Sequence, residues 1–432
     1  MQALNRLFLN KELRKRVLIT LGLLLVTRIL VHIPLAAVSA DKLKSFFTGS
    51  SNQAFGLLDI FSGGSISRFS VILMGVGPYI TASIIIQLLT VIVPSFEALQ
   101  KEGEYGKNRL NQYTRYITVP LAILQSYAMI LLLKSQDVIS SWNAQELVSM
   151  LVVSTAGTIL LMWIGEIITE SGIGNGISLI ITIGILSGLP ATFAQKYSLV
   201  VSGGIIDYKE LLSFSIFILF SILLIAIIVL MNDAVRRIPV SYARRTRGET
   251  LSNSINSFLP IKVNTAGVIP IIFAVSMLMF PQLIGKFFES AKTDWVRNFA
   301  IWISSTVSAE KNALVYGILY FLLVIVFTYF YTSIVFNPQQ IAENLQKQGG
   351  FVPGIRPGSE TVTYLSAVIS RITFVGSIFL GLVAILPIII PLWTGDQTLI
   401  LGGTGILIVV SVVIETMRQV QAQLVMTSYE KY

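Results

Sequence analysis

The chain has 432 residues, 54% hydrophobic and 12% charged, with a formal net charge of +9 and a mean hydropathy of +0.76. That balance excludes a soluble globular domain and describes a polytopic membrane protein, in which basic loops account for the positive charge without nucleic acid. The lack of cysteine excludes a disulfide framework, thiolate metal sites and a cysteine nucleophile, and His32, the only histidine, excludes histidine pairs as metal ligands.

In chain order, residues 1–16 end in Lys11-Glu12-Leu13-Arg14-Lys15-Arg16 and read as a cytoplasmic amphipathic segment, with a first span over 17–37. The Val38-Ser39-Ala40 that follows imitates a signal-peptide cleavage site, but the apolar run is long and carries Arg28, which argues against cleavage. Arg28 is costly in lipid and is expected to face the bundle or snorkel. His32, close to Pro34, reads as an interfacial or packing residue.

A short apolar stretch at 55–61 then meets Ser62-Gly63-Gly64-Ser65, and a longer one follows at 69–93. The first is too short to cross a bilayer, which takes about 20 apolar residues as helix. Two readings stay open on spacing alone: a half-helix folded into a pore, or a re-entrant or amphipathic link between two ordinary spans. Gly75, Gly77 and Pro78 predict a kink or close approach in the longer helix.

Further spans are expected over 115–133, 147–168, 176–190, 211–231, 265–285, 312–335, 371–392 and 399–419, ten in all with the first span and the 69–93 helix. The predicted organisation is an N-terminal half over 17–190, an external connection at 191–210, a C-terminal half over 211–419 and a tail at 420–432. Lys and Arg are biased about two to one toward the side holding both termini, which places the termini in the cytoplasm. Two cytoplasmic loops are long, 232–264 and 336–370, and carry Arg244, Arg245, Arg247 and Arg356. These arginines either follow the charge bias alone or form a dock for ribosomal RNA or an acidic protein surface.

Gly75-Val76-Gly77-Pro78 before the second span is echoed by Gly267-Val268-Ile269-Pro270 at the seventh. Broken spans at matching places in two halves point to a pathway at the repeat interface. The sequence holds no Walker loop, HExxH, GxSxG or spaced carboxylate pair. Gly172-Ile173-Gly174-Asn175-Gly176 reads as a flexible turn rather than a phosphate cradle, and Glu166 and Glu170 share a helix face where a loop-pinning role competes with proton coupling.

Several long motifs carry a resemblance: FSGGSISRFS (61–70), PYITASIIIQLLT (78–90), KEGEYGKNRLNQYTRY (101–116), LMWIGEIITESGIGNGISLII (161–181), KVNTAGVIPIIFA (262–274), FNPQQIAENLQKQGGFVPGIRPG (336–358) and GGTGILIVV (402–410). Along nearly its full length the chain resembles the SecY family of protein-conducting channels. One departure is Ser171, where the family usually has arginine. The resemblance implies an all-α, polytopic fold of ten transmembrane helices in two pseudo-symmetric five-helix halves with a plug half-helix at about 55–66. It further implies a channel subunit, not an enzyme and without cofactor or metal, that moves unfolded secretory polypeptides across the bacterial plasma membrane and releases transmembrane segments sideways into lipid.

The plug is then expected to include Leu57, Leu58, Ile60, Phe61, Ser62, Gly63 and Gly64, and the pore ring Val76, Ile80, Ile177, Ile181, Ile272 and Ile408. Thr81, Gln125 and Asn264 are expected at the lateral gate, where helices two and three part from seven and eight. The implied partners are SecE-like and SecG-like small membrane subunits, the ATPase SecA or a ribosome on the two cytoplasmic loops, signal sequences, nascent chains and lipid. A secondary carrier for a small solute and an insertase without an aqueous pore are the competing classes.

Overall fold

The computed structural model describes residues 11–35, 59, 62–135, 138, 143–202, 205–206, 208–242, 257–288, 293–307, 312–394 and 403–429. The first part of the described chain holds α1 (Lys11–Val31), α2 (Gly77–Ile92), α3 (Pro94–Lys101), α4 (Glu104–Ser135), α5 (Ala144–Ser171) and α6 (Gly176–Val200). After a two-residue hairpin, β1 (Val201–Ser202) and β2 (Ile205–Ile206), come α7 (Tyr208–Asp233), β3 (Val235–Tyr242), β4 (Ser257–Lys262) and α8 (Ile269–Phe288). The rest is α9 (Asp294–Thr306), α10 (Ala313–Val335), α11 (Pro338–Lys347), β5 (Gly350–Phe351), α12 (Ser359–Thr394) and α13 (Gly403–Tyr429).

Among the described residues six helices are long and apolar enough to cross a membrane, α2 and α3 form a further candidate bent by 100°, and shorter apolar segments lie at 176–190 and 269–278. Each of the ten expected spans falls on a helix. Outward-facing apolar stripes such as Leu18, Leu21, Leu25 and Ile29 on α1 and Leu314, Ile318, Leu322 and Val326 on α10 mark the lipid side.

The helix ends differ from apolarity alone, for a physical reason. α1 begins inside the expected cytoplasmic segment and stops at Val31, and α4, α12 and α13 run well past their apolar windows. Good helix formers continue a helix into water once it is nucleated, and no hydropathy step marks where it stops. The bend between α2 and α3 sits at Val93-Pro94, where the residue before proline is held extended (φ −106°, ψ 114°).

The largest correction concerns 69–93. The helix starts only at Gly77, and 62–76 is a chain of turns. Serines divert the backbone there: Ser65 Oγ donates to the Leu73 carbonyl (3.1 Å), Ser67 N–H to Asp59 Oδ1 (2.8 Å) and Ser67 Oγ to the Gly64 carbonyl (3.2 Å). Irregular backbone at membrane depth survives because it is wrapped in protein. Ile66, Phe69, Leu73 and Met74 pack with Met129, Ile130 and Leu133 of α4 and Met150 of α5 in a second core. Leu35 N–H to Phe69 O (2.7 Å) and Val71 N–H to Ile33 O (2.9 Å) tie the segment to the exit of α1.

The two Gly-Val-X-Pro echoes share one backbone device. Gly75 (φ +55°) and Gly267 (φ +65°) both take the left-handed conformation, the next residue is valine, and a helix opens with proline in its second position. The Gly172–Gly176 turn, read from sequence as flexible, is instead pinned. Ile173 N–H donates to Thr20 Oγ1 (3.1 Å), Gly176 N–H to Thr169 Oγ1 (2.9 Å), and Asn175 Oδ1 caps α6 through Ser178 N–H (3.2 Å).

Both long loops contain regular structure. β4, β3 and β5 form one antiparallel sheet, so the two loops meet in a single small platform. Ile238 and Ile261 pack there against Ala342 of α11, Val352, and Leu365 and Ile369 of α12.

Candidate functional site

The main apolar core gathers one contribution from each helix expected at a pore. Val76, the residue that caps the start of α2, Ile80 of α2, Ile181 of α6, Ile272 of α8 and Ile408 of α13 are buried members, and Ile177 of α6 packs against them. Val76 and Ile80 lie four apart on one helix face, as do Ile177 and Ile181.

A cavity of about 450 Å³ opens on the side of the β3–β4 platform, and Ile80, Ile177, Ile181 and Ile272 line it. Its walls mix neutral amides and hydroxyls, including Ser83, Gln87, Asn108, Asn111, Asn175 and Ser178, with the charged Arg115, Glu166 and Glu170 and with apolar side chains. A second, much smaller cavity, about 10 Å³ and room for one water at most, is lined by Arg28, Ser62, Gly63, Gly75, Val76 and Ile180. The ring residues thus divide between the two cavities: Ile80, Ile177, Ile181 and Ile272 line the wide vestibule and Val76 lines the small one. Ile408 lines neither cavity and is fully buried behind them.

The plug segment forms part of the second cavity's wall. Ser62, Gly63 and Gly64 of the expected plug are described; Leu57, Leu58, Ile60 and Phe61 lie outside the described residues. Gly63 has φ +73°, and a Cβ there would lie 3.0 Å from the Gly184 Cα of α6 and 3.2 Å from Arg28 Nη1. Only glycine fits both the conformation and the approach. Arg28 Nη1 donates to the Gly63 carbonyl (3.0 Å) and Nη2 to Ser187 Oγ of α6 (2.6 Å). The charge that sequence reasoning marked as costly thus ties the plug base to α6. Nearby, burial pushes the Asp59 carboxyl above its ordinary range, against hydrogen bonds from Ser67 that favour the charged form.

At the vestibule wall Arg115 of α4 and Glu166 of α5 form a two-point ion pair, Nε to Oε1 at 2.9 Å and Nη2 to Oε2 at 2.8 Å. This favours the loop-pinning role for Glu166: its charge is used to join two helices. The pair is partly screened by solvent, so Glu166→Gln is expected to lower stability by only about 1 kcal/mol. Thermal unfolding in detergent checks this, with Arg115→Gln giving a similar loss and the double variant less than their sum.

The three residues expected at the gate hydrogen-bond as follows. Gln125 Nε2 donates to Thr81 Oγ1 (3.4 Å), which joins α4 to α2 on one side of the seam. Asn264 Nδ2 donates to Asn232 Oδ1 at the end of α7 (2.8 Å), and Asn232 Nδ2 donates on to Ser411 Oγ of α13 (2.9 Å). These bonds hold each side together instead of bridging between them. α8 itself packs directly on α2 and α4, and Phe273 of α8 stacks edge-on against Phe327 and Tyr331 of α10. Arg356 is exposed, at the turn before α12, where Thr361 Oγ1 donates to its carbonyl (2.8 Å). Arg244, Arg245 and Arg247 lie outside the described residues.

A protein-family model described as SecY matches residues 70–417. The Protein translocase subunit SecY of Streptomyces coelicolor is 41% identical, covering 100% of this chain and 99% of that protein. That of Mycobacterium tuberculosis is 40% identical over 98% and 97%. Among solved structures, one described as the structure of a protein conducting channel superposes with a TM-score of 0.66 at 18% identity, covering 95% of this chain and 92% of that one. A structure of a SecY protein concerned with its plug domain and the closed channel gives 0.65 at 17%, and Sec61 in the canine ribosome-channel complex gives 0.62 at 17%.

Proposed function

The chain belongs to the SecY family, and from that membership we propose that its aliphatic collar is the closed gate of a channel for unfolded polypeptide. The observation that carries this reading is the aliphatic set that lines the wide vestibule through Ile80, Ile177, Ile181 and Ile272 and reaches, through Val76, a small cavity walled in part by Ser62 and Gly63. A narrow apolar constriction dewets and stops ions, yet it offers no fixed polar partner and so admits a chain of any sequence.

In this reading Val76, Ile80, Ile177, Ile181, Ile272 and Ile408 form the ring, residues at about 55–66 plug it, and Arg28 latches the plug base. Hydrophobic segments leave sideways where α8 parts from α2 and α4. Thr81 with Gln125, and Asn264 with Asn232, keep the two moving sides rigid. The protein sits in the bacterial plasma membrane with both termini in the cytoplasm, as the bias of basic loop residues supports. It works with SecE-like and SecG-like small subunits and does no chemistry of its own.

The β4–β3–β5 platform is the docking face for SecA or a translating ribosome. Arg236, Arg237 and Arg356 are exposed on or beside it, and Arg244, Arg245 and Arg247 belong to the connection between β3 and β4. Arg356→Glu is expected to cut SecA-driven export about tenfold or more while leaving the amount of folded protein unchanged, because a reversed rim charge repels an acidic partner without touching the core. Export into inverted vesicles with parallel immunoblots checks this; a loss of protein in proportion to export removes the docking role.

A further inference from the structure

The end of α8 opposite the platform leads into α9, a helix for which sequence reasoning expected only a loop. α9 has three distinct faces. One is buried against α8: Ala300 is inaccessible to solvent, Val296, Ile303, Ser304 and Val307 are half-buried, and a Cβ at Gly285 of α8 would lie 3.0 Å from the Ala300 carbonyl. A second is polar, with Asp294, Arg297 and Asn298 exposed and the two charges paired at 2.6 Å.

The third face is an aromatic stripe. Trp295, Phe299 and Trp302 recur at i, i+4 and i+7 and stack in sequence, with ring centroids 5.9 Å and 6.1 Å apart. They are 75%, 50% and 61% exposed.

We propose that α9 lies on the membrane surface with its Trp295–Phe299–Trp302 stack inserted at the headgroup–acyl boundary, anchoring the far end of α8 to the phospholipid leaflet opposite the platform. Four observations select lipid as the occupant. Short connections to α8 and α10 hold α9 at the rim of two spanning helices, so its height is that of the bilayer edge. The neighbouring apolar residues Phe288 and Leu314, at the adjoining ends of those helices, are themselves exposed and continue the stripe toward the lipid-facing sides. Tryptophan rings are favoured at that depth, where an apolar body meets a polar headgroup. Among the described residues of α9 the only two charges, Asp294 and Arg297, pair with each other, leaving none to attract a complementary protein. Because α9 packs on α8, which the gate reading moves, the anchor gives that movement a fixed point in lipid.

Depth-resolved spin labelling tests this directly. The chain contains no cysteine, so single-cysteine variants need no background removal. Phe299→Cys, Trp302→Cys and, on the opposite face, Arg297→Cys are labelled in the full chain and reconstituted into phosphatidylethanolamine–phosphatidylglycerol vesicles. The ratio of oxygen to nickel-chelate collision rates is expected to be about tenfold higher at 299 and 302 than at 297. Equal ratios at all three would place the helix in water and overturn the proposal. Low accessibility to both reagents at 299 and 302 would mean that protein, a second copy or another subunit, covers the stripe, and would overturn it equally. The measurement involves no translocation, so its failure leaves the channel reading standing.

Discussion

Arg28→Met is expected to raise the resting ion leak of the reconstituted channel by about 10- to 100-fold, by shifting the plug from seated to displaced. The guanidinium makes two charge-assisted hydrogen bonds, to the Gly63 carbonyl at 3.0 Å and to Ser187 Oγ at 2.6 Å. The first holds the base of the plug and the second fixes Arg28 itself against α6. A hydrogen bond to a charged group is worth about 1.5–3 kcal/mol where the partner is otherwise lost. The seated state alone contains the Arg28–Gly63 contact, so removing it shifts the equilibrium by that whole amount. Arg28→Lys keeps the charge but lacks the planar fork that reaches two partners, and its leak should fall between those of wild type and Arg28→Met. Potassium efflux from proteoliposomes measures the series. An unchanged leak in Arg28→Met, with the protein inserted in normal amount, removes the latch.

Ile80→Asn combined with Ile181→Asn is the second large effect, an expected rise in leak of about tenfold or more that acts through the collar instead of the plug. Both side chains line the vestibule, and they belong to the main core. Isoleucine at that position gives water no partner; an amide retains water because leaving it dry costs about 1–3 kcal/mol. The two seals act in series, so the collar variant joined to Arg28→Met should leak more than the sum of the separate leaks. The substitutions remove buried apolar surface and should cost about 2–4 kcal/mol of stability. Thermal unfolding run alongside therefore separates a wetted collar from an unfolded one. A stable double variant with wild-type leak would show that the seal lies elsewhere.

What was legible in the sequence follows from how far each interaction reaches along the chain. Ten spans could be placed because each is a continuous apolar run, and the Gly-Val-X-Pro echo because its backbone requirement is local. The segment 62–76 could not: it looks apolar enough to extend the helix, and only the back-bonding of the Ser65 and Ser67 hydroxyls shows why α2 waits until Gly77. Arg28 was marked by its cost in lipid, but its partners lie 35 and 159 residues away, beyond any periodicity. The gate residues came from the resemblance, which says nothing of the bonds each side chain makes. Which neighbour an amide chooses is a tertiary fact, and here Asn264 finds Asn232. α9 was written in plain view as Trp295, Phe299 and Trp302, a helical spacing hidden by treating the stretch as a charged loop. The ring residues came from resemblance; composition alone cannot separate Ile181 from any other core isoleucine.

The central claim is that polypeptide passes through the collar, and photocross-linking tests it most directly. A photoreactive residue is placed at Ile80, at Ile181 and, as a lipid-facing control, at Leu219 of α7, which is 70% exposed. A secretory chain is then stalled in transit through native membranes. The account predicts cross-links from Ile80 and Ile181 that depend on an intact signal sequence, and none above background from Leu219. Labelling at Leu219 with silence at Ile80 and Ile181 would put the chain outside the collar and contradict the account.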